Sequence, residues 1–98
     1  MRIRIRGSAR EHGITDAEIR AVVSFRALTA PLAARKPGAQ PQFYTGPANP
    51  NEPWIEIIAD LAEADVVDVF HAMMLRPSVF AAVGLVGLAT PTYGPQRK

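Results

Sequence analysis

The sequence predicts a single α+β domain, and three observations carry that prediction. Met1 to Arg6 alternates strictly, with Ile3 and Ile5 on one side and Arg2, Arg4 and Arg6 on the other, which is the period of a half-buried strand. Thr15 to Phe25 carries a well-marked helix start. Trp54 to Arg76 reads as two strands folded about a polar turn at Glu63-Ala64. Ninety-eight residues leave room for one core only.

Taken in order, Ser8 begins a short helical turn through Ala9-Arg10-Glu11-His12, and Gly13 suits its left-handed end. Thr15 as N-cap with Glu18 three residues on makes a capping box, and Ile14 with Ile19 makes a hydrophobic staple. Ile19, Val22 and Val23 then line one helix face. Leu28 to Gln42, with Pro31, Pro37, Gly38 and Pro41, is expected to be a loop with a short strand near Leu32. Phe43-Tyr44-Thr45 reads as a strand, and the proline-rich stretch from Gly46 to Pro53 as a turn region. Pro77 is placed to open a last helix, apolar nearly all round, to about Leu88. The domain is therefore set at residues 1–89. Residues 90–98, with Pro91, Gly94 and Pro95, are expected to be a flexible tail.

Pairing the hairpin about its turn sets Glu56 opposite His71 and Trp54 opposite Met73. One face then holds Ile55, Ile57, Ala59 and Leu61 beside Ala72, Phe70, Asp68 and Val66, and is nearly all apolar. The other holds Trp54, Glu56, Ile58 and Asp60 beside Met73, His71, Val69 and Val67. Opposed residues lie about 5 Å apart at Cβ, so an acid and an imidazole share one sheet face, with Arg76 five residues on. Nowhere else does the chain converge groups suited to proton transfer.

Composition narrows the chemistry. There is no cysteine, so disulfides and cysteine-based zinc sites are excluded. The only two histidines, His12 and His71, are far apart in sequence and make a poor basis for a metal site, so no cofactor is expected. Met1 is followed by no apolar leader, and the run Val79–Leu88 is shorter than the ~20 residues that span a bilayer. A cytoplasmic location and no membrane partner are the expectations. Net charge is +2, but residues 1–38 hold eight basic and three acidic side chains. That half can attract a phosphate backbone or an acidic partner.

Several short motifs are similar to a known group. Arg10-Glu11-His12-Gly13-Ile14 before a capped helix, Tyr44-Thr45-Gly46-Pro47, Trp54-Ile55-Glu56-Ile57-Ile58 and Phe70-His71-Ala72-Met73-Met74-Leu75-Arg76-Pro77 resemble the BrnT-like toxins of bacterial type II toxin–antitoxin systems and their relatives. The likeness covers roughly residues 8–80. It implies a RelE/ParE-type fold, a small twisted antiparallel sheet with helices on one face. It also implies metal-independent cleavage of RNA, free or ribosome-bound, and neutralisation by an antitoxin in a heteromeric complex. Two departures stand out: Ala72-Met73-Met74-Leu75 separates His71 from Arg76, and the C-terminal helix is apolar.

Cleaving RNA without a metal needs a base for the 2′-hydroxyl proton, an acid for the leaving oxygen and positive charge on the phosphorane. His71, Glu56 and Arg76 are the candidate catalytic residues. Arg10 is a second phosphate contact, and Tyr44 and Trp54 are candidate stacking platforms. The alternative expectation is a non-catalytic interaction protein, homodimeric or in an obligate complex, that works through its apolar C-terminal helix.

Overall fold

The computed structural model describes residues 1–97. Five strands form one sheet: β1 (Arg2–Ile5), β2 (Leu28–Pro31), β3 (Pro41–Pro47), β4 (Trp54–Asp60) and β5 (Val66–Met74). A single 3-10 turn (Gly7–Arg10) and α1 (Asp16–Phe25) follow β1, and α2 (Pro77–Ala82) follows β5. The spatial order is β1-β5-β4-β3-β2. The α+β class holds. The sheet is mixed, however, because β1 runs parallel to β5 while the other neighbours are antiparallel.

α1 forms where its local code says it should. Thr15 Oγ1 accepts from Glu18 N at 3.1 Å and Glu18 Oε1 accepts from Thr15 N at 3.0 Å, a complete capping box worth about 1 kcal/mol. Ile19, Val22 and Val23 bury the helix against Tyr44, Ile55, Ile57, Ala59, Val67, Val69 and Ala72. Each such side chain contributes roughly 1.5–3 kcal/mol on burial. The opposite face of the sheet carries a second, smaller cluster of Phe43, Leu75, Phe80 and Leu85 with Trp54 and Ile58 against it. The helices thus do not share one face: α1 covers one side of the sheet and α2 the other. The reason lies in sequence parity, since Phe43, Trp54 and Ile58 alternate with the residues α1 covers.

The central hairpin departs from the expected pairing by two residues at its open end. Ile58 lies opposite His71 and Glu56 opposite Met73. Between Ile58 and Ala59 the register skips Phe70, a β-bulge. A shift of two keeps parity, so Glu56 and His71 still share a face. Beyond the bulge parity reverses. Val67 and Val69 turn into the α1 core, while Asp68 pairs with Asp60 on the other side. The expectation that Asp68 and Phe70 lie on the α1 face is therefore overturned, and one inserted residue is the cause.

The C-terminal region also differs. α2 stops at Ala82, because Gly84 takes φ +80° and ends it, and Leu85 returns to the core alone. The tail expected to be flexible is held in place. Trp54 N donates to Thr92 O at 2.8 Å, Gln96 Nε2 to Met74 O at 2.8 Å, and Arg97 Nη2 to Glu18 Oε2 at 2.8 Å. No helix among the described residues is long and apolar enough to cross a membrane.

Gly46 sits where β3 passes closest to the residue before β2. A Cβ there would lie 2.8 Å from Ala27 N, and that amide donates to Thr45 O at 2.9 Å. Only a residue without a side chain permits the approach.

Candidate functional site

Glu56 is the centre of the site, and its side chain is fully buried. It stands on β4 between Thr45 of β3 and Met73 of β5. An isolated carboxylate buried in this way would be very unfavourable; here every donor around it is accounted for. Oε1 accepts from the Arg76 backbone N–H at 3.0 Å and from Arg76 Nε at 3.1 Å. Oε2 accepts from Arg76 Nη2 at 2.7 Å and bonds His71 Nε2 at 2.8 Å. Burial by itself would raise the Glu56 pKa. The bonds from His71 and Arg76 outweigh it, and the group is held below the usual carboxylate range.

That electrostatic state decides the tautomer of His71. An ionised carboxylate only accepts, so the proton of a neutral His71 sits on Nε2 and its lone pair on Nδ1. His71 keeps 22 % of its side chain exposed. His12 lies near it, with ring centroids 6.0 Å apart in an edge-on arrangement. His12 is brought there because the 3-10 turn docks on β5, where Ser8 Oγ donates to Phe70 O at 2.7 Å. Arg76 uses its Nε–Nη2 edge on Glu56, and among the described residues Nη1 has no protein acceptor. With 43 % of its side chain exposed it keeps Nη1 for a ligand.

The three expected catalytic residues thus come together, with Glu56 meeting His71 diagonally rather than directly across the hairpin. The three expected substrate contacts do not join them. Arg10 is committed to Asp16, with Nε and Nη2 donating to its two oxygens at 2.9 and 2.8 Å. Tyr44 is buried in the α1 core, where Arg26 stacks over its ring 5.6 Å from the centroid, so no base can reach its face there. Trp54 packs edge-on against Phe80 at 6.4 Å and closes the α2 cluster. Both aromatics serve the core because β3 and β4 are interior strands, covered on both sides.

A second buried carboxylate went unread in the sequence. Asp68 is 3 % exposed and is bonded by Arg4 Nε at 3.1 Å and Arg6 Nε at 2.9 Å, with Arg6 Nη2 also on it. These guanidinium bonds take its pKa down to about 2. They pair Arg4 and Arg6, two of the eight cations in the basic N-terminal half. Arg4 also reaches Glu63 at 2.9 Å.

A cavity of about 560 Å³ opens on the same sheet face, and His71, Glu56 and Arg76 are not among its lining residues. Ile58, the residue opposite His71, and Phe70, the residue before it, both line it. His12, Phe70 and Asp60 were not singled out for this site from the sequence. His12 had the Gly13 turn as its one signal, and the other two depend on the bulge. Among the described residues no cluster of histidine, aspartate and glutamate is arranged to hold a metal ion. Searches against family models, curated proteins and solved structures return no match for this chain.

Proposed function

We propose that the protein is a toxin-like endoribonuclease that cleaves RNA by acid–base chemistry at His71, restrained in the cell by a cognate antitoxin. The observation that carries this reading is the Glu56–His71 bond, which leaves a lone pair on Nδ1 of a partly exposed imidazole. Nδ1 takes the proton of a ribose 2′-hydroxyl as that oxygen attacks the adjacent phosphorus. The P–O5′ bond breaks, and His12, whose ring lies 6.0 Å from that of His71, gives a proton to the leaving oxygen. Arg76 Nη1 binds the non-bridging oxygens while charge builds on them. The products are a 2′,3′-cyclic phosphate and a 5′-hydroxyl. Glu56 does not react. It positions His71 and anchors Arg76. The antitoxin rests on the sequence resemblance alone.

The purified chain is expected to cut single-stranded RNA in the presence of EDTA and to leave cyclic phosphate ends. Expressed without a partner it should arrest growth. Replacing His71 by Ala should relieve both effects, and undiminished cleavage by the His71→Ala, Arg76→Ala double variant would end the assignment.

A non-catalytic interaction protein is the second reading. Val86 and Leu88, just past α2, expose 68 % and 65 % of their surface. It predicts a stable oligomer that Leu88→Asp disperses; a wild-type monomer in solution argues against it.

A further inference from the structure

The cavity lined by Ile58 and Phe70 is not used by the chemistry above, and its lining is of mixed character. Phe70, Ile58 and Leu32 supply apolar wall, Asp60 supplies one carboxylate, and Arg35, Lys36 and the Asp68-bound Arg6 supply three cations. Asp60 Oδ1 is occupied by the backbone N–H groups of Gln40 at 2.9 Å and Ala62 at 3.0 Å. Among the described residues no protein donor reaches Oδ2. Neither Arg35 nor Lys36 forms an ion pair among them. Phe70 is there because of the bulge: the extra residue puts it beside His71 and Ile58, and bulges re-aim side chains in this way next to binding sites.

We infer that this cavity takes one unpaired nucleotide of an RNA chain, with its base against Phe70, an amino group of the base donating to Asp60, and its phosphate drawn to Arg35 and Lys36. The volume suits a ligand of this size. An alkyl chain would leave the Asp60 oxygen, Arg35 and Lys36 unmet. A bare phosphate would leave the apolar wall unused and would be repelled by Asp60. A nucleotide with an amino-bearing base meets all three features, and the cavity's wall at Ile58, the residue opposite His71, would let it choose the cleaved position. The inference deepens the ribonuclease reading and rests on it for its biological setting, but binding can be measured without cleavage.

The test is titration of the full-length protein with 5′-GMP, 5′-CMP, 5′-UMP and inorganic phosphate, followed by calorimetry or amide NMR shifts. GMP and CMP, whose bases carry exocyclic amino groups, should bind about tenfold tighter than UMP, since uracil offers only its N3–H, flanked by two carbonyl oxygens that the Asp60 carboxylate repels. They should exceed phosphate by more. Phe70→Leu keeps an apolar side chain and removes the π-face; it should weaken all three nucleotides about tenfold and leave phosphate unchanged. Asp60→Asn keeps a carbonyl oxygen for Gln40 and Ala62 while offering a donor to the ligand, so the preference should turn toward UMP. Equal binding of nucleotides and phosphate, or no effect of Phe70→Leu, would overturn the inference. Nucleotide binding by a protein that never cleaves RNA would keep this assignment and remove the catalytic one. RNA cleavage without nucleotide binding would do the reverse.

Discussion

Glu56 and Asp68 make an instructive pair, because the fold treats them alike and their neighbours do not. Both are buried carboxylates on the same face of the sheet, and each is held below its ordinary pKa by cationic partners. Asp68 is gripped by two arginines from β1 and its end, and so fastens the parallel strand to β5. Guanidinium groups do not exchange protons in the physiological range, so that cluster can only hold. Glu56 has one arginine and one histidine. Exchanging a guanidinium for an imidazole turns the same clamp into a group that can accept and release a proton. The burial is shared, and the second partner separates scaffold from chemistry.

The largest expected effect that breaks the comparison is on activity. Replacing His71 by Ala should cut RNA cleavage about 10²–10⁴-fold, the range for a lost general base, and should also lower the urea midpoint, because the buried Glu56 carboxylate loses a bond. Arg4→Ala at the other carboxylate should leave cleavage within about threefold and lower the midpoint alone.

Next in size is the effect on stability. Asp68→Asn and Glu56→Gln each remove charge-assisted bonds and are expected to cost about 1.5–3 kcal/mol in urea unfolding. Only Glu56→Gln should also lower activity, because the neutral amide no longer fixes the His71 tautomer. Equal loss of activity in both variants would erase the distinction.

Acid titration sharpens the pair further. The folded pKa of each carboxylate lies below its unfolded value, so each contributes stability above about pH 4. That stability is lost as the pH falls through the folded value, for Asp68 between about pH 4 and about 2. The wild type should lose stability steeply across that window in equilibrium unfolding, and Asp68→Asn should show a shallower slope.

The smallest effect concerns the tail. Arg97 and Glu18 form a partly exposed ion pair at the start of α1, with the Glu18 pKa lowered to about 2. Arg97→Ala should cost only about 0–1 kcal/mol and should raise amide exchange near Thr92. An unchanged exchange rate there would mean that the other tail bonds suffice.

Much of this was legible locally. The α1 start is encoded within five residues, Ile14 to Glu18, and forms as the motif requires. The hairpin was legible in its parity, which brought Glu56, His71 and Arg76 to one face. Its register was not, because nothing in Val66–Met74 announces that Phe70 will be skipped. That one residue decides which face receives Asp68, Val67 and Val69. The parallel docking of β1, the approach of His12 to His71 and the seating of Thr92, Gln96 and Arg97 all depend on contacts between distant parts of the chain. Periodicity reports the face a residue prefers and is silent on which neighbour fills it. Gly84 could have been read as the stop of α2, but the apolar run through Leu88 suggested continuation.

The strand order carries a further consequence for self-association. The outermost strands, β1 and β2, are four residues each; one is studded with Arg2 and Arg4, and the other closes with Pro31. Short, charged or proline-ended borders are poor templates for another backbone. Lateral growth into ribbons or fibrils is disfavoured at both flanks, which leaves side-chain surfaces as the better place for a companion molecule to dock.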